Sequence, residues 1–161
     1  MWKKLFRSSK DEEDDRASLF AELQQDEMFQ EMVRKAEERL EFLLELDKLC
    51  DKCIYLLESP FERLDMVDLI VNEIEELKPK IQVFQKSADS KFDHKEIKNT
   101  VTPYLKLSEL MIGNHKDSKG IISLINSGED SQSKKMQKSL EKSIYSILKI
   151  KNQISKMFDM R

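Results

Sequence analysis

The chain has 161 residues, with 28 Lys or Arg against 31 Asp or Glu and a net charge of −3. Three Gly and three Pro are too few for the tight turns that β-sandwiches, β-barrels and Gly-rich catalytic loops require. Aromatic residues make up 7%, too few for a large sheet core, and no run approaches the ~18 apolar residues of a membrane span. The expectation is one all-α domain of cytoplasmic type.

The first residues have the charge of a signal-peptide n-region, but Ser8, Ser9, Lys10 and Asp11 follow where an apolar h-region belongs. Drawn as a helix, Trp2, Leu5 and Phe6 share one face, with Lys3, Lys4 and Arg7 around it. An aromatic–aliphatic wedge beside cations suits docking to an anionic membrane surface or to a protein partner. Residues 8–16 are polar and acidic, so residues 1–16 read as a flexible segment and residues 17–161 as a single helical-bundle domain.

The pattern predicts a very long first helix, from about Ala17 to Glu58. Phe29, Ala36, Leu43, Cys50 and Leu57 recur every seven residues. Val33, Leu40 and Ile54 fill the intervening positions, an apolar seam of coiled-coil type. Gln24-Gln25-Asp26-Glu27 interrupts it, which sets Leu19, Phe20 and Leu23 apart. Such a helix is about 60 Å long, more than the later helices can cover, and this points to pairing with another subunit or a protein partner.

Ser59-Pro60-Phe61-Glu62 reads as a capping box opening the second helix. Leu64, Val67, Ile70, Val71, Ile74, Leu77, Ile81 and Phe84 give its core face, and Pro79 is expected to kink or end it. The short connection implies an antiparallel hairpin with helix 1. Asp93 with Glu96 reads as the next N-cap, Thr102-Pro103 as a restart and Gly113-Asn114 as a stop. Ile121 to Ile125 reads as a short helix. A last helix from about Asp130 to Met157 presents Leu140, Ile144, Ile147, Ile150, Ile154 and Phe158 on one face. The sum is an antiparallel bundle of about four helices.

Several constellations were weighed for chemistry. Cys50-Asp51-Lys52-Cys53 places a CxxC pair deep within a helix, whereas dithiol chemistry needs the helix N-terminus to stabilise a thiolate. A structural metal would need two more ligands, and His94 and His115 stand at no zinc-like spacing. Buried core cysteines are the preferred reading, and a thiol- or metal-responsive switch is the alternative. Asp65, Asp68, Glu73 and Glu76 read as the wet face of helix 2. The segment from Gly113 to Gly120 lacks both the glycine spacing and the Lys-Ser or Lys-Thr of a phosphate loop. No catalytic group, cofactor or small-molecule substrate is expected, and no motif places the chain in a known family.

Charge is divided unevenly. Residues 1–80 carry 13 basic and 22 acidic side chains, and residues 81–161 carry 15 and 9. The last helix bears a lysine stripe: Lys135, Lys138, Lys142, Lys149 and Lys156. It suits an anionic polymer or lipid, or it answers the acidic row Glu37, Glu41 and Glu45 of helix 1 within or between subunits, which is the preferred reading. Nucleic acid is disfavoured by the net charge and by the lack of interleaved aromatics. The expected function is that of a non-enzymatic helical protein–protein interaction module (adaptor, regulator or scaffold), self-associating and docked peripherally to a membrane through its N-terminus.

Overall fold

The structure is a computed structural model that describes residues 9–114, 119–127 and 132–159. The protein is all-α. Its helices are α1 (Ser9–Glu58), α2 (Met66–Lys86), α3 (Lys91–Met111), α4 (Ile121–Asn126) and α5 (Lys134–Asp159), with a 3₁₀ turn at Pro60–Glu62. The chain divides into two compact units, residues 1–38 and 39–161, so the division falls inside α1. The sequence pattern places its boundary at residue 16 instead.

The first unit holds the N-terminal part of α1, which starts at Ser9 rather than near Ala17. Further along, Arg34 bridges Glu31 and Glu38, one turn to either side. These pairs are well exposed and contribute little to stability.

The second unit is the bundle. Its part of α1 buries Phe42, Leu43, Leu46, Leu49, Leu56 and Leu57. The Phe42 ring packs edge-on to Phe84 of α2 at 5.6 Å and tilted against Tyr104 of α3 at 6.2 Å. The helices α1 and α2 run antiparallel, because Lys52 pairs with Glu73 while Glu45 pairs with Lys80, and rising numbers on one meet falling numbers on the other. From α2 the core receives Val67, Ile70, Ile74, Leu77, Ile81 and Phe84, the face its three–four spacing predicts. Leu64 is the exception, being exposed and outside the helix. The helix α3 packs on α2, α4 and α5, and α4 also packs on α5. Lys151 of α5 reaches Asp47 and Asp51 of α1.

The helix ends differ from expectation in instructive ways. Ser59 stands before the 3₁₀ turn and its side chain makes no capping bond, so α2 opens only at Met66. Pro79 lies inside α2 on its exposed face. Pro103 likewise lies inside α3, and the Thr100 and Thr102 hydroxyls donate to the Glu96 and Lys98 carbonyls in the preceding turn. The N-cap of α3 is Ser90, not Asp93: its Oγ accepts the Asp93 amide at 3.1 Å, and Asp93 is the acidic third residue. Gly113, at φ 99°, closes α3 as its sequence suggests. Ser90→Ala is expected to lower stability by about 1 kcal/mol, and Ser59→Ala by less than ~0.5 kcal/mol. Urea unfolding of the two variants checks the difference.

Candidate functional site

Two surfaces stand out, one in each unit. On the first, Leu19, Phe20, Leu23, Met28, Phe29, Met32 and Val33 of α1 are 39–67% exposed. At 100° per residue they form two groups. Leu19, Phe20 and Leu23 lie on one side, and Met28, Phe29, Met32 and Val33 lie on another. The second group keeps the register of the seam that, further along the helix, supplies the core residues Leu43, Leu46 and Leu57. Residues 19–33 also carry four acids (Glu22, Asp26, Glu27 and Glu31) and no basic residue. Asp26 borders one edge of the second group, Glu22 falls in register with Phe29 one heptad before it, and Glu27 and Glu31 turn toward the other side of the helix. The structure therefore presents an exposed apolar face on an acidic segment.

On the second unit, α3, α4 and α5 enclose an open cleft of about 940 Å³, within the usual size range of binding clefts. Leu110 of α3, Ile121 and Leu124 of α4 and Ile150 of α5 give it apolar surface. Ser139, Ser143, Ser146 and Gln153 run along α5 at three–four–seven spacing, and small residues in such a row permit close approach of another chain. Four lysines line it: Lys106 of α3, Lys119 before α4, and Lys142 and Lys149 of α5. Glu109 is the one acid among the lining residues. The Lys149 ammonium lies 4.6 Å from the centre of the Tyr145 ring, a cation–π contact that leaves it at the surface.

Cys50 and Cys53 are fully buried in the core. Burial, reinforced by the Asp47 carboxylate, pushes the Cys50 thiol up to about 12. Burial, then the neighbouring Cys50, pushes Cys53 up further. Both are protonated at neutral pH and poor nucleophiles. Among the described residues no group of three His, Cys, Asp or Glu is placed to hold a metal ion. A thiol held protonated in the fold stabilises it fully below the ordinary thiol pKa of ~8.5. That stability is lost as pH rises from there toward about 12. Two results are expected: slow thiol labelling of native protein at pH 7, and stability that falls between pH 9 and 11. Each thiol adds about 1.4 kcal/mol per pH unit to that slope. The Cys50→Ala/Cys53→Ala variant should lose this part of it, read from urea midpoints across the pH range. Native thiols that label as fast as unfolded ones would return the switch reading to favour.

The other sites expected from sequence fall as follows. Trp2, Lys3, Lys4, Leu5, Phe6 and Arg7 lie outside the described residues, as does His115. Of the helix 1 seam, Phe29 and Val33 are exposed, Ala36, Leu40 and Ile54 are half-buried, and Leu43 and Leu57 are buried. All five stripe lysines are exposed on α5, and Lys142 and Lys149 enter the cleft while Lys135, Lys138 and Lys156 do not line it. Of the acidic row of α1, Glu45 pairs with Lys80 of α2, at 2.7 Å. The α5 lysine that meets α1 is Lys151, off the stripe, and its bond to Asp51 raises its pKa.

Sequence reasoning missed Lys106 and Lys119, because a cleft built from three helices has no signature in any one of them. It also missed Arg39, which is buried with its Nε unpartnered. No helix of the described residues is long and apolar enough to cross a membrane. No protein-family model, curated protein or solved structure matches the chain.

Proposed function

We propose that this chain is a non-enzymatic, self-associating helical interaction module of the adaptor or scaffold kind, whose contact element is the apolar ridge of α1 between Leu19 and Val33. The observation that carries the reading is the exposure of seven large apolar side chains within fifteen residues of one helix, four of them (Met28, Phe29, Met32 and Val33) on one face. Scattered surface apolar residues need no explanation, but an apolar face of this kind marks an interaction surface. Burying Met28, Phe29, Met32 and Val33 from their present exposure is worth on the order of 5 kcal/mol before the cost of association. The protonated, buried thiols favour this reading over a thiol-responsive switch.

Sedimentation velocity over a wide concentration range tests it. The wild-type chain is expected to gain mass with concentration, and Phe29→Asp/Met32→Asp to remain monomeric. Because both substituted side chains are exposed, circular dichroism of the variant should retain the wild-type helical signal and thermal transition. A wild-type chain that stays monomeric throughout contradicts self-association.

A further inference from the structure

Resting on that reading, we infer that the α1 ridge of one copy, the face of Met28, Phe29, Met32 and Val33, docks into the α3–α4–α5 cleft of a second copy, so that the contact is head-to-tail, ridge to cleft. Two independent features of the two surfaces agree.

The first is charge. Residues 19–33 carry four acids and no base, and the cleft is lined by four lysines and one acid. Two α1 ridges laid side by side would instead bring acid against acid, which costs affinity and slows encounter. Opposite charges on ridge and cleft select contact of ridge with cleft over contact of ridge with ridge.

The second is shape and polarity. The ridge presents Met28, Phe29, Met32 and Val33, side chains that need apolar surface beneath them. The cleft offers Leu110, Ile121, Leu124 and Ile150, with the small serines of α5 allowing the incoming helix to approach closely. The lysines of the cleft then meet the acidic segment that carries the ridge.

The association weakens with salt because both surfaces are solvent-exposed.

The test uses two full-length variants, each defective in one surface. Phe29→Asp/Met32→Asp removes the ridge, and Lys142→Glu/Lys149→Glu reverses the cleft. All four positions are exposed, and thermal melts check that both variants fold. Each variant alone is expected to be monomeric over the range in which the wild type associates, with the association midpoint raised at least tenfold. Mixed in equal amounts they should form a one-to-one dimer and stop there, since one supplies the intact cleft and the other the intact ridge. If the cleft variant associates like wild type and mixing restores nothing, the head-to-tail docking is wrong while self-association through the ridge stands. If the wild type itself never associates, the underlying reading fails and the docking with it.

Discussion

Leu46→Ala is expected to lower the unfolding free energy by about 3–4 kcal/mol, and Phe29→Ala to change it by less than ~0.5 kcal/mol. Both positions belong to the apolar pattern of a single helix. Leu46 has 0% of its surface exposed, in the core cluster that also holds Phe42, Leu49 and Ile70, whereas Phe29 is 64% exposed. Truncating Leu46 removes its transfer free energy and leaves a cavity among side chains fixed by helices on several sides. Truncating Phe29 removes surface already in contact with water. Urea unfolding at low protein concentration, where association does not contribute, measures both. Equal effects at the two positions would mean that the N-terminal part of α1 is held by tertiary packing.

Gly120→Ala is expected to cost about 2–3 kcal/mol. The backbone of Gly120 (φ −73°, ψ 173°) is open to any L residue, so the obstacle is space. A Cβ there would lie 2.2 Å from the Met111 carbonyl oxygen and 2.5 Å from the Ile112 carbonyl carbon. These are backbone atoms, and no side-chain rotation relieves the clash. Relief requires the chain before α4 to part from the end of α3, which breaks the 3.2 Å bond from the Gly120 amide to the Ile112 carbonyl and the adjacent Gly113–Lys119 bridge. Met111 is itself fully buried, and Ile121 and Ile122 follow directly in the core, so the displacement is transmitted to packing. Because Gly120 also lines the cleft, the variant should weaken association as well as stability. Urea unfolding and sedimentation of the same sample check the two effects together.

How far the fold was legible in the sequence can be judged helix by helix. Three–four periodicity identified the buried face of α2 from Val67 to Phe84, and Ile147, Ile150 and Ile154 of α5, because each of those helices offers one face to the bundle. It was less informative for α1. There the core takes Phe42, Leu49 and Leu56 besides Leu43, Leu46 and Leu57, a wider stripe than a single seam. Periodicity also continues unchanged through Phe29 and Val33, because a pattern records which residues share a face and not whether anything covers it. Helix ends went astray where rules compete. Ser90 and Asp93 both suit an N-cap, and the Ser90 hydroxyl takes the Asp93 amide. Pro79 and Pro103 read as breaks, yet both lie within continuous helices.

The candidate site was half visible. Lys142 and Lys149 were legible as part of the α5 stripe, but Lys106, Lys119 and the apolar surface of Ile121 and Leu124 come from other elements. The partner of Glu45 was misplaced for a similar reason, since the α1–α2 hairpin brings Lys80 to it before α5 has any claim.

The most direct test of the division of α1 into a packed half and a contact half is hydrogen exchange of the full-length chain at rising protein concentration. Amides of residues 42–57 are expected to be strongly protected at every concentration, as core elements are. Amides of residues 19–33 should exchange fast in dilute solution and slow markedly as concentration rises, when the ridge becomes covered. Strong protection of residues 19–33 in dilute monomer would contradict the account by showing the ridge already packed. Fast exchange there at every concentration would contradict it equally, by showing that no second copy covers it.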